Sequence, residues 1–167
     1  EMLITTLFTG GLLFVLVGWM SGMQREAKID LAVRQLAQLD LALSHYYGVA
    51  GDYPRFEQPD SASLAVEALN SQPKAQAILN QLPVSLWQGA TGLVPVDPWG
   101  VPLRYVGSAD SPRVQANSGR PIFVSAGPNR RFGSNQKEAG GDDLRSDDPD
   151  PDDFFQALRE AAISEDK

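Results

Sequence analysis

The side chains able to do chemistry in this chain are few and mostly of one kind. Seven aspartates (Asp142, Asp143, Asp147, Asp148, Asp150, Asp152 and Asp153) fall within residues 140–153 against one base, Arg145, a local net charge of -6 within a whole-chain value of -7. Taken by itself, such a run is what a solvated loop carries. Histidine occurs once, at His45, and cysteine not at all. Without cysteine there is no disulfide, no thiol nucleophile and no thiolate-held zinc or iron–sulfur cluster. A lone histidine with no identifiable orienting partner makes neither a triad nor an imidazole metal centre. Near the end of the long helix, on its polar side, such a residue either favours the dipole as a cation or is simply exposed. No Gly-x-Ser-x-Gly, phosphate-loop or dinucleotide fingerprint occurs. Lysine plus arginine total 14 against 21 Asp+Glu, which excludes a phosphate-backbone footprint. The chain reads as a non-enzyme that binds no nucleic acid.

The elements that must hold these groups begin with an apolar segment. Residues 2–24 are 23 positions without a charge, rich in Leu, Ile, Val and Phe. As a helix they extend about 35 Å, enough for a hydrocarbon core of about 30 Å. A secretory signal is the competing reading, but its apolar region is shorter and a small-residue cleavage site follows it. Here Gln24, Arg25, Glu26, Ala27 and Lys28 continue as helix formers. The hydroxyls of Thr5, Thr6, Thr9 and Ser21 can bond back to helix carbonyls. Gly18 and Gly22 lie four apart, a spacing that either lets a second helix approach closely or reflects the ordinary glycine content of membrane helices. Arg25 and Lys28, taken alone, place the following domain in the cytoplasm by the positive-inside rule.

Helical periodicity continues beyond the membrane segment. Ile29, Val33, Leu36, Leu39 or Asp40, Leu43, and Tyr46 or Tyr47 recur at three and four, while Arg25, Asp30, Arg34, Gln38 and His45 occupy other faces. One helix of about 46 residues, about 70 Å long, is predicted, ending where Gly48, Gly51 and Pro54 interrupt it. Two shorter helices are predicted over 61–70 and 73–81, with Pro73 suited to a first turn. Asp97-Pro98-Trp99-Gly100 has the residue order of a type I turn. Strands are expected at 103–106 and 121–125, with a third near 113–115. Trp87 and Trp99 read as core or turn packing, and Trp19 as a membrane or helix-interface residue. A closing helix capped by Asp152 or Asp153 would place Phe155, Leu158 and Ala162 on one face, with Phe154 and Phe155 docking it on the domain. The expected fold is α+β, a long N-terminal helix packed on a small antiparallel sheet. It divides into a membrane or filament-core helix over 1–24, a soluble domain over 25–139 and an acidic loop with a short helix over 140–167.

These pieces, in this order, resemble the type IV pilin superfamily, and most closely the major pseudopilins of type II secretion systems. Glu1-Met2-Leu3-Ile4 is similar to the family's N-terminal motif entered at its glutamate. Ala42-Leu43 with Tyr46, then Gly51-Asp52-Tyr53-Pro54, resemble the end of its long helix. Asp97-Pro98-Trp99-Gly100 with Leu103-Arg104-Tyr105 resembles its turn and strand. Val124-Ser125-Ala126-Gly127-Pro128-Asn129, Phe132-Gly133-Ser134 and Asp142-Asp143-Leu144 resemble its C-terminal loop.

The resemblance implies a pilin-like subunit cut from a basic leader by a membrane peptidase, methylated, and assembled from the bacterial inner membrane into a helical homopolymer that serves protein secretion. The domain then faces the periplasm or lies outside the cell, against the charge-flank reading. Glu1 is implied to pair with a neighbouring subunit's N-terminal amine, as an intramembrane carboxylate requires, and the alternative is a merely exposed first residue. Gly18 and Gly22 join it as assembly positions. Gly18 stands where many relatives have a helix-bending proline. The resemblance also implies calcium in the C-terminal loop, held by Asp142 and Asp143 with Ser125, Asn129 and Asp147 behind them, since calcium takes six to eight oxygen ligands. Asn129 replaces a common aspartate, and residues 135–141 lengthen the loop. A surface pilin for adhesion or motility, and a membrane-anchored binding domain that never polymerises, are the alternatives.

Overall fold

A computed structural model describes residues 2–56, 61–89, 94–133 and 143–147, with side chains from Gln24 onward. Its first element is helix α1, Met2–Ala50, 49 residues without interruption. Gly51 ends it with φ 77°, its amide donating to the Tyr47 carbonyl at 2.8 Å. Among the described residues no helix is long and apolar enough to cross a membrane. The uncharged residues 2–23, expected to do so, lie where side chains are not described.

The second half of α1 is the spine of the core. Ile29, Ala32, Leu36, Leu39, Ala42 and Leu43 are buried along one face, and Val33 and Tyr46 are partly buried beside them. This is the periodicity the apolar positions predict, and His45 lies exposed on the opposite side. Asp30 and Arg34 form an exposed ion pair at 3.0 Å, a contact worth about 0.3–0.5 kcal/mol.

Helices α2 (Ala62–Asn70) and α3 (Pro73–Leu79) occupy the predicted positions. α3 lies along α1, and Pro73 takes its first turn, where a missing amide costs nothing. Ala65, Val66, Leu69, Ala75 and Leu79 complete the helical part of the core. Among the described residues, five short strands follow in two antiparallel sheets. β1 (Trp87–Gln88) pairs with β2 (Val94–Pro95). β3 (Arg104–Val106), β4 (Ile122–Ser125) and β5 (Leu144–Arg145) form the second sheet in the order β3-β4-β5.

Two expectations need correction. Residues 113–115 are not a strand: they belong to helix α4, Pro112–Ala116. Ser111 and Pro112 supply a helix start, and that local signal outweighs the β preference of Val114. The third strand is instead β5, within the acidic run read as loop, because Leu144 reaches the core opposite Ser125. Trp87 and Trp99 pack at the edge of the core as expected. The predicted closing helix, with Phe155, Leu158 and Ala162, lies outside the described residues.

Candidate functional site

Asp97 opens the turn predicted from its sequence: the Gly100 amide donates to its carbonyl at 2.9 Å. Gly100 follows with φ 84°, which a side chain disfavours. The turn residues also bury a carboxylate. Asp97 is 1% exposed. Its Oδ1 accepts the Trp99 amide at 3.0 Å and the Val101 amide at 2.9 Å. Oδ2 accepts the Ser125 hydroxyl at 2.8 Å. Ser125 Oγ in turn accepts the Gly127 amide at 3.1 Å. One buried anion thus ties the turn to the end of β4 and to the start of the C-terminal loop.

That loop is closed by short-range polar contacts. Asn129 Oδ1 accepts the Arg131 amide at 2.6 Å. Asp143 Oδ2 accepts the Gly133 amide at 3.0 Å, joining the two ends of the lengthened segment. The β4–β5 register places Ser125 opposite Leu144, so Asp143 enters beside the end of β4. Ser146 extends the pairing, donating its amide to the Phe123 carbonyl at 2.9 Å and accepting the Phe123 amide on Oγ at 3.0 Å. Asp147 lies 3.5 Å from Arg145 Nε.

The chain entering β4 is linked to the long helix. Arg120 reaches Asp40 Oδ2 at 2.6 Å, the Asp40 carbonyl at 3.1 Å and Ser44 Oγ at 2.5 Å. Burial pushes the Asp40 carboxyl above its ordinary range; the Arg120 guanidinium offsets part of the rise and the nearby Asp147 adds to it. Gln35, 1% exposed on α1, donates its amide to the Val96 carbonyl at 2.9 Å, fixing the helix to the chain just before Asp97. Beneath the sheet Tyr105 donates its hydroxyl to the Pro54 carbonyl at 2.6 Å. Burial raises that phenol far above its ordinary pKa, so it stays a donor throughout the physiological range.

The residues singled out from sequence are therefore only partly brought together. Ser125 and Asp143 are near along the β4–β5 register, but Ser125 bonds Asp97 while Asp143 accepts from Gly133; Asn129 caps an exposed turn, and Asp147 lies toward Arg145 and Asp40. Among the described residues no three of His, Cys, Asp and Glu cluster as a metal site. Glu1 and Asp142 lie outside those residues, while Gly18 and Gly22 are successive turns of α1. Asp97 as a buried clamp, Gln35 as a tether and the Asp40–Arg120–Ser44 group were not anticipated. Only Asp97 carried a signal, its place at the head of a turn.

A family model described as type II secretion system (T2SS), protein G, matches residues 20–140. No curated protein and no solved structure matches.

Proposed function

The chain belongs to the type II secretion system protein G family, the major pseudopilins, and from this premise we propose that it polymerises through α1 into a pilus-like filament that serves protein export. One observation carries the reading. α1 is a single helix whose second half is the spine of a packed domain and whose first half is uncharged over residues 2–24. A subunit of this form sits in the bilayer before assembly and packs its apolar half against other subunits afterward, with close approach at Gly18 and Gly22. In this reading the leader is removed by a membrane peptidase, the new N-terminus is methylated, and inner-membrane assembly machinery extrudes the subunits. The domain faces the periplasm.

Glu1 is the residue on which assembly turns, because its carboxylate compensates a neighbour's terminal amine away from water. Each 1.4 kcal/mol lost from a subunit contact weakens it about tenfold. Glu1→Ala should therefore lower filament yield at least about tenfold, scored by electron microscopy and by subunit recovered in the sheared fraction. Normal filaments in that variant would overturn the assignment of Glu1. Crosslinking that never captures a homopolymer would favour the anchored domain that does not polymerise.

Calcium is proposed for the C-terminal loop. The support is chemical: carboxylate, amide and carbonyl oxygens suit a hard cation. The fit of the described residues is partial, since Ser125 Oγ, Asn129 Oδ1 and Asp143 Oδ2 already serve other groups. Asp142 and loop carbonyls would have to complete the shell, and calcium would then draw the loop ends together. Millimolar calcium should raise the Tm of the detergent-solubilised chain over that in chelator, a ligand at a hundred times its Kd adding about 2.7 kcal/mol. An unchanged Tm would remove calcium from the reading.

A further inference from the structure

A cavity of about 150 Å³ lies beside the second sheet, between Arg104 and Val106 of β3, Arg113 of α4, Val124 of β4, and Phe132, Gly133 and Asp143 of the C-terminal loop. Its chemistry is cationic on an apolar floor. The register places Arg104 opposite buried Val124. The Arg104 guanidinium stacks 3.9 Å from the centroid of Phe132, which limits its rotamers before any ligand arrives. Arg113 comes from a different element, α4. In this acid-rich chain Arg34, Arg55, Arg120 and Arg145 each have a carboxylate partner. Among the described residues Arg104 and Arg113, like Arg25, Arg130 and Arg131, have none within ion-pair distance, although Asp143 shares their cavity and accepts the Gly133 amide.

The Arg104 guanidinium beside an aromatic ring, with Arg113 in the same lining and an apolar floor, suits a planar carboxylate, which arginine can bind with two parallel hydrogen bonds. The volume admits an aspartate side chain with room to spare. The chain itself supplies the complementary chemistry. Residues 148–155 read Asp-Pro-Asp-Pro-Asp-Asp-Phe-Phe. Proline at Pro149 and Pro151 fixes φ, so the segment loses less conformational entropy on docking. It offers carboxylates at alternate positions and aromatic rings next to them.

We infer that this cavity binds aspartate carboxylates from residues 148–153 of a second copy, so that the acidic segment of one subunit docks on the Arg104–Arg113 cavity of its neighbour. The inference rests on the homopolymer proposed above, and gives that polymer a contact outside α1. Such a contact weakens as salt rises, because the charges meet near the surface.

The probe is a labelled synthetic peptide of residues 148–155, titrated into the detergent-solubilised full chain and followed by fluorescence anisotropy. Arg104→Gln with Arg113→Gln should weaken binding at least about tenfold through loss of both charge-assisted contacts. Arg130→Gln with Arg131→Gln, altering arginines outside the cavity lining, should leave it unchanged. Equal affinity in the cavity variant and the parent overturns the site. Because the chain has no cysteine, Val106→Cys in one chain and Phe154→Cys in another keep the cavity arginines and the aspartates and report only this contact. A disulfide-linked dimer on co-expression supports the second copy as occupant. A crosslink confined to single chains carrying both substitutions overturns that occupant. Peptide binding to monomers requires no filament, so binding without any polymer upholds the cavity and removes the polymer reading alone.

Discussion

Asp97→Ala should destabilise the folded domain by about 3–5 kcal/mol, because it takes the acceptor from three donors at about 1–3 kcal/mol each, two of them only part-buried. The Trp99 and Val101 amides would lose their acceptor, and so would the Ser125 hydroxyl. None can turn to solvent without opening the turn, since Asp97 and Ser125 are buried and the Asp97 amide is itself bonded to the Val101 carbonyl at 2.8 Å. Asp97→Asn separates charge from shape. It keeps Oδ1 as acceptor but presents an amide donor to Ser125 Oγ, which already accepts from Gly127. Its cost should be about 1–2 kcal/mol. Ser125→Ala, which leaves one carboxylate oxygen unbonded but disturbs no backbone amide other than Gly127, should fall in the same range, about 1–2 kcal/mol. Thermal and denaturant unfolding of the full chain in detergent measure all three. An Asp97→Ala chain as stable as the parent would show that the clamp contributes nothing net, its desolvation cancelling its hydrogen bonds.

Gly107→Ala is the second large effect, and its cause is steric. A Cβ at position 107 would lie 2.4 Å from Tyr105 Cε1 and 3.2 Å from the Pro54 carbonyl oxygen. Tyr105 cannot yield: it is fully buried, its ring is tilted against Phe123 at 4.9 Å, and its hydroxyl is anchored on Pro54. The methyl group therefore forces either the ring or the backbone after α1 to move. Overpacking of this kind costs about 1–3 kcal/mol, with a further 1–3 if the Tyr105 hydrogen bond breaks and leaves the Pro54 carbonyl unpaired. A double-mutant cycle isolates the cause. In a Tyr105→Leu background, itself destabilised, Gly107→Ala should add less than about 0.5 kcal/mol. A full penalty in that background would place the clash on the Pro54 carbonyl.

Both effects act on the same assembly of parts. Gln35 and Arg120 bind the second half of α1 to the Val96–Asp97 segment and to the chain before β4, and Asp97 binds that segment to β4. A subunit handled from its helix, as the polymer reading requires, transmits load into the domain through these few polar ties. Apolar burial resists separation but has no direction; hydrogen bonds at fixed geometry set the angle between helix and sheet.

Local chemistry was sufficient for much of this protein. The 3.6-residue spacing of Ile29, Leu36, Leu39 and Leu43 determined α1 and its buried face, Pro73 the start of α3, and Asp97-Pro98-Trp99-Gly100 its turn. Each of those signals lies within a few residues of chain, where rotation angles and side-chain period leave one good solution. Tertiary structure decided the rest. Leu144 pairs as a strand inside an acidic run because β4 offers an open edge, and Val114 is helical because Pro112 suits a first helical turn and the helix buries the Val114 side chain. Gln35 is buried on an apolar face because the Val96 carbonyl, 61 residues away, needs a donor there. Arg120 finds Asp40 across 80 residues, and Asp97 finds Ser125 across 28. The sequence lists these donors and acceptors without distances, and a hydrogen bond is settled by distance and angle, which only the folded chain supplies.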